Sequence, residues 1–333
     1  MIQEFLTSPP SLAHFGVFFL LGVLFLMVVL GFVTYGILAE RKVLGYMQAR
    51  VGPDQLGGRF GLLQTVADVL KLLLKEDVIP KAVDRPLFIL APIVAFTPSF
   101  MVLATIPFSK ELQFADLGVG LLYYIAISGI STVGVITAAW ASNNKFALLG
   151  GMRAVAQMIS YEIPLVMSVI GVVLLTGSLS LVDIVDAQQK WAYFIVNPIG
   201  FIVFFIAATA ELNRTPFDLP EAESELIAGY HIEYSGFRFA FFMLSEYVYL
   251  FAMSALMTVL FFGGWHPIPG LSFIPGPVWF VLKMSLFVFM MIWFRGTFPR
   301  VRVDQLMEFA WKVLLPVALF NIFLTAIIKT VWM

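Results

Sequence analysis

Eight continuous apolar runs dominate this sequence, at about residues 15–38, 86–106, 118–141, 155–176, 193–211, 238–262, 277–295 and 309–331. Each is close to the ~20 residues a helix needs to cross a bilayer core. A single span in lipid must satisfy its own backbone hydrogen bonds, so each run is predicted to be a helix. A β-barrel is excluded, because its strands would alternate apolar and polar residues. Composition agrees: 60% of residues are hydrophobic and 12% charged, against roughly 45–50% and 25% in soluble domains. The expected fold is an all-α integral membrane protein. It has eight transmembrane helices in a single polytopic domain, 1–333, with an amphipathic helix on the cytoplasmic side.

The 333 residues include no cysteine. That removes disulfides, iron–sulfur ligation and thiolate chemistry from this chain. His14, His231 and His266 are far apart and share no metal-ligand spacing. No metal site is expected, and any redox centres must come from partners. With a net charge of −1, nothing favours nucleic acid.

Basic residues set the orientation. The mildly acidic start, Met1-Ile-Gln-Glu4, favours an external N-terminus, and the first run is too long and lacks the basic flank of a cleaved signal peptide. Sixteen Lys and Arg residues then fall on the inner loops and helix ends, and Lys110, Lys190 and Lys329 fall outside. This is a strong positive-inside bias. Eight spans put both termini on the outer face. Lys283 lies near the outer end of a span, where it is expected to snorkel, and no function is assigned to it.

The inner loops carry the chemistry. In the loop 40–85, Gln64, Asp68, Lys71 and Lys75 recur at helical spacing as one polar stripe on an apolar helix. About fifteen residues reach only ~22 Å, so this helix is expected to lie on the bilayer or to be wedged against a partner. Gly52-Pro53 and Gly57-Gly58 are turns, not a phosphate loop. The acidic loop 211–237 holds Glu211, Asp218, Glu221, Glu223, Glu225 and Glu233 against Arg214 and His231. Such density of like charge favours proton uptake where water is scarce. The 295–304 loop offers Arg295, Arg300 and Arg302 as a membrane anchor, or as a docking surface for a partner or the acidic loop.

Ionisable groups inside spans are costly and default to functional candidates. Glu162, Glu211 and Glu246 are placed in one layer of the inner half, Glu162 roughly 10 Å and Glu246 roughly 12 Å from the inner edge. Pro164 is expected to disturb the helix beside Glu162, with Gln157, Ser160 and Tyr161 as hydrogen-bonding neighbours. Together these carboxylates suggest a proton-conducting path.

Several stretches then carry a resemblance. They are Glu40-Arg-Lys42, Gly45 to Pro53, Gln64-Thr-Val-Ala-Asp-Val-Leu-Lys-Leu-Leu-Leu-Lys-Glu76, Ser160-Tyr-Glu-Ile-Pro164, Ala210 to Tyr230 and Arg295 to Gln305. In order along the whole chain they resemble the H-subunit family of bacterial NADH–quinone oxidoreductase (respiratory complex I), similar to mitochondrial subunit 1. The resemblance implies a translocase subunit joining the peripheral redox arm to the proton-pumping arm and helping to form the chamber where ubiquinone or menaquinone is reduced. It implies quinone-path roles for Glu40, Arg41, Asp68 and Lys71. It implies an acidic funnel of Glu162, Glu211, Asp218, Glu221, Glu223 and Glu225. Flavin, iron–sulfur clusters and the NADH site belong to other subunits, and the expected location is a bacterial inner (plasma) membrane. The equivalent anchor subunit of a membrane-bound hydrogenase or a related ion-pumping oxidoreductase is the nearest alternative. A stand-alone secondary transporter and a passive anchor are alternatives of other classes.

Overall fold

The computed structural model describes residues 12–110, 112–219, 223–267 and 273–332. No strand occurs among them. The chain divides into two compact units, residues 1–68 and 69–333.

The first unit is built on α1 (Leu12–Met47) and the turns that follow it. Helix α1 continues nine residues beyond the expected end at 38, so Glu40 and Arg41 are helical. Its N-terminal half is largely exposed apolar surface, from Phe15 to Val28. The return turns need glycine: Gly57 and Gly61 hold φ of 85° and 66°, where a side chain is strained. Helix α2 (Gln64–Leu74) spans the division and ends one residue before Lys75.

The second unit is a helix bundle. Helix α3 (Arg85–Met101) passes into a tighter turn, Val102–Thr105. Then come α4 (Gly120–Ala141), α5 (Lys145–Thr176), α6 (Leu181–Ala187), α7 (Tyr193–Val196) and α8 (Pro198–Glu211). After these stand α9 (Glu223–Leu226), a short turn Gly229–His231, α10 (Gly236–Phe261) and α11 (Gly276–Thr297). Helix α12 (Val303–Glu308) joins α13 (Leu315–Trp332) through a wide turn, Phe309–Leu314.

Among the described residues, seven segments are long and apolar enough to cross a membrane: 14–47, 85–105, 120–141, 145–176, 236–261, 276–297 and 303–331. The eighth expected run, 193–211, is interrupted. Asn197 turns its side chain onto the Gly200 N–H at 2.9 Å, and Pro198 starts a fresh helix of 14 residues. An asparagine cap followed by proline is a start signal inside an apolar run.

Helix α5 also departs from expectation. It begins at Lys145 rather than 155, where Asn144 accepts from the Phe146 N–H at 2.9 Å. The expected loop 142–154 therefore shrinks to a turn. The helix runs unbroken through Pro164. Glycines in its first turns give close approaches to neighbours, since a Cβ at Gly150 would lie 2.6 Å from the Gly229 Cα.

Small residues bring the other helices together. Helix α3 packs on α4 and α10, and α5 packs on α4, α8 and α13. A Cβ at Gly134 on α4 would lie 2.6 Å from the backbone nitrogen of Ala95 on α3. In lipid such contacts rest on dispersion rather than on expelled water. Helix α10 is the central strut, and every residue from Val248 to Phe261 is buried.

Candidate functional site

Helix α8 stops at Glu211, and the chain then folds back into the bundle. Two contacts hold that reversal. The Arg214 N–H donates to the Thr209 carbonyl at 3.3 Å. The fully buried Gln157 on α5 donates through Nε2 to the carbonyls of Ala210 and Phe217, both at 2.7 Å. One amide thus fixes both ends of the turn that carries Glu211 and Arg214.

Around this turn lies a cavity of about 60 Å³, enough for several waters, since one needs only ~10–15 Å³ by this measure. Its polar lining includes Glu211, Asn213, Tyr230, Ser245, Glu246 and Tyr249. Tyr249 and Tyr124 are within electrostatic reach of Glu211. Glu162 is also within reach of Glu211, and its Oε1 points to α4, 3.2 Å from where a Gly129 Cβ would be. Glu211 Oε2 is buried with no hydrogen-bond partner among the described residues.

Two carboxylates, from α8 and α10, therefore line one cavity, and Glu162 on α5 stands within electrostatic reach of Glu211. Their height differs from expectation. Because α5 starts ten residues earlier, Glu162 lies in the middle of that helix, roughly 25 Å from its first residue. Glu246 carries a cation: Arg214 Nε is 2.9 Å from its Oε1, and the arginine is 3% exposed. The same guanidinium lies 4.6 Å from the Tyr247 ring centre. The neighbours expected to bond Glu162 turn elsewhere. Besides Gln157, Tyr161 donates to the Leu306 carbonyl at 2.9 Å, and Ser160 accepts from Trp311 at 3.3 Å.

The acidic loop continues under basic cover. Arg300 reaches the buried Asp218 at 3.2 Å, and the Val301 N–H donates to the Pro216 carbonyl at 3.0 Å. Glu225 is exposed and pairs with Arg153 on α5, away from the cavity. Glu233 accepts from Asn144 at 2.7 Å. Glu221 and the Glu223 side chain lie outside the described residues. Arg302 contacts the neighbouring Asp304 at 3.4 Å, both exposed, and Arg295 stands in the last turn of α11. Burial holds the His231 pKa down at about 4, so this histidine is neutral near pH 7.

In the first unit, Glu40 is buried on α1. The next residue, Arg41, makes a close ion pair with Asp68, and Lys71 stands on α2 one turn after Asp68. No cluster of metal-ligating side chains exists among the described residues.

Sequence reasoning passed over Tyr124, Tyr249 and Ser245, which share the cavity region. Their signal was present, because polar groups inside long apolar helices seek one another. Lys283 also differs from expectation. Instead of snorkelling, it donates to the carbonyls of Phe262, Gly264 and His266 at 2.7, 3.0 and 2.8 Å. It thereby caps the end of α10.

The bundle and its buried acids define a polytopic helical membrane protein with an internal carboxylate cavity. A family model described as NADH dehydrogenase matches residues 20–326. The H subunit of NADH-quinone oxidoreductase from Anoxybacillus flavithermus is 74% identical over 329 residues, 99% of each chain. The proteins of the same name from Bacillus cereus and Bacillus mycoides are 74% and 73% identical over the same share. The chain therefore belongs to the H-subunit family of bacterial NADH-quinone oxidoreductase, as a membrane component of that enzyme.

Proposed function

We propose that this chain contributes to the quinone-binding chamber and couples quinone reduction to proton transfer. The observation that carries the reading is one cavity shared by Glu211 and Glu246, with Glu162 in electrostatic reach. Carboxylates around a few waters can take up and pass on protons; a cavity that only had to be filled would be apolar. In this reading Glu162, Glu211, Asp218, Glu221, Glu223, Glu225 and Glu246 form the proton path. Glu40, Arg41, Asp68 and Lys71 lie along the quinone path. Arg295, Arg300 and Arg302 hold the acidic loop and the adjoining surface against the peripheral arm.

Quinone is the substrate. Flavin and iron–sulfur clusters sit in partner subunits of the membrane and peripheral arms. The short α8 with α7 completes an eighth crossing within one polytopic domain, residues 1–333, and α2 lies along the cytoplasmic membrane surface. Loops 40–85 and 211–237 face the cytoplasm of a bacterial plasma membrane, and both termini face out.

The test is Glu211→Gln in membranes from the native host. Glutamine keeps the shape and cannot ionise. The enzyme should assemble and oxidise NADH with a hydrophilic acceptor, while quinone reduction and pH-gradient formation fall together. Asp183→Asn, on α6, should change neither. Normal pumping in Glu211→Gln would return the cavity to a structural role.

A further inference from the structure

A second cavity, of about 640 Å³, lies where the start of α3 meets the turn between α4 and α5. Its walls include Asp84, Trp140, Asn143, Asn144, Lys145 and Leu148. We propose that it binds the headgroup of a membrane phospholipid that carries both a phosphodiester and an ammonium group.

The pocket presents one charge of each sign. Asp84 precedes α3 without capping it through its side chain, and Lys145 opens α5. Both are exposed. Among the described residues neither makes an ion pair, with the other or with a third group. Ordinarily two such neighbours on a protein surface pair with each other or face open water. Here they share one concavity, which suits a ligand with two opposite charges: the ammonium toward Asp84 and the phosphate toward Lys145.

The walls between them are fixed. Asn143, held at φ 46°, donates to the Ala82 carbonyl at 2.9 Å. Asn144 donates to Glu233 at 2.7 Å and caps α5 with its oxygen. The Asp84 N–H donates to the Ala141 carbonyl at 3.1 Å, tying the start of α3 to the end of α4. The pocket is thus a formed concavity, which reduces the ordering cost of binding.

Position argues for lipid rather than a soluble zwitterion. The pocket sits at the ends of three segments able to cross a membrane, 85–105, 120–141 and 145–176, so it lies at headgroup level. Leu149 and Met152 follow Lys145 at i+4 and i+7, and they are 52% and 58% exposed. Their spacing makes one stripe leading away from the ammonium along α5. Trp140 on the pocket wall is 67% exposed, and an indole at this level is a common interfacial anchor. The acyl chains would lie along this apolar surface.

The experiment uses the intact enzyme complex, purified in mild detergent and placed in phosphatidylcholine nanodiscs. The probe is a photoactivatable phosphatidylethanolamine with its reactive group near the glycerol. Labelled peptides from this chain should map to residues 82–84 and 140–152. Unlabelled phosphatidylethanolamine should compete, and phosphatidylglycerol, which lacks the ammonium, should compete less well. Asp84→Asn with Lys145→Gln should cut labelling about fivefold, while NADH oxidation with a hydrophilic acceptor stays normal. Three results overturn the proposal: undiminished labelling of the double variant, equal competition by phosphatidylglycerol, or labelling only of a partner subunit's peptide seated in the pocket.

Discussion

Glu246 offers a sharp test, because its pairing separates it from Glu162 and Glu211. The Arg214–Glu246 contact is 2.9 Å long, and the arginine is almost wholly enclosed. At an effective dielectric near 20, two unit charges at that distance attract by roughly 6 kcal/mol. Desolvation of the guanidinium offsets part of this, and Glu246, 21% exposed, keeps some contact with water. Removing one partner of such a pair typically costs ~3–5 kcal/mol, since the other charge stays buried. The partial exposure points to the lower end, ~3 kcal/mol. Glu246→Gln should therefore lower the thermal midpoint at which this chain is lost from the purified complex by up to roughly 4 °C, and should reduce the amount of this chain in membranes. Glu211→Gln, with no such cation, should do neither. Combining Glu246→Gln with Arg214→Gln should recover part of the loss, giving a coupling energy of about 2 kcal/mol in a double-mutant cycle. The assay is thermal denaturation followed by quinone reductase activity and by retention of this chain on native gels. If Glu246→Gln assembles with an unchanged midpoint, or if the two substitutions are simply additive, the ion pair does not stabilise the turn and the argument fails.

Arg41→Ala should impair quinone reduction while leaving stability and artificial-acceptor activity intact. The Arg41–Asp68 pair is 45% and 26% exposed, and such pairs contribute at most ~1 kcal/mol. Lys283→Met should lower the thermal midpoint, because three carbonyls lose a charged donor and each such bond contributes ~1.5–3 kcal/mol before water refills the site; Lys283→Arg should retain part of the stability. His231 gives a pH signature. Its pKa falls from 6.5 to about 4 on folding, so between those values the unfolded segment binds a proton that the folded one refuses. Stability should be full above pH 6.5 and decline by up to ~1.4 kcal/mol per pH unit toward pH 4. Hydrogen exchange of segment 229–236 should report this decline, and His231→Asn should flatten it.

Much of the architecture was legible because apolar length is a direct signal in lipid. The departures occur where side-chain partners decide. Lys145, Gly150, Gly151 and Arg153 read as a polar loop before a span. In the fold the glycines receive neighbouring backbone and side chain, and Arg153 finds Glu225, so the helix extends through them. Within 193–211 the Asn197-Pro198 pair was readable as a helix start, yet the unbroken apolar run concealed it. Glu162, Glu211 and Glu246 were legible by cost, since a charge in a span requires a reason. Their pairing was readable only in part: the basic loop was expected against a partner or the acidic loop, and Arg300 meets Asp218, but that Arg214 meets Glu246 and Gln157 clamps the turn depends on contacts between segments far apart in sequence.

The close seam between Gly134 and Ala95 bears on how the protein responds to cold. Water-driven association weakens on cooling, because its driving force is largely entropic near room temperature. A seam inside a bilayer exchanges contacts with lipid tails for contacts with another helix, with little water released. Its strength should therefore change little between a warm and a chilled membrane. Low temperature would act first on apolar contacts formed against water, outside these helices, while α3, α4 and α10 remain locked together.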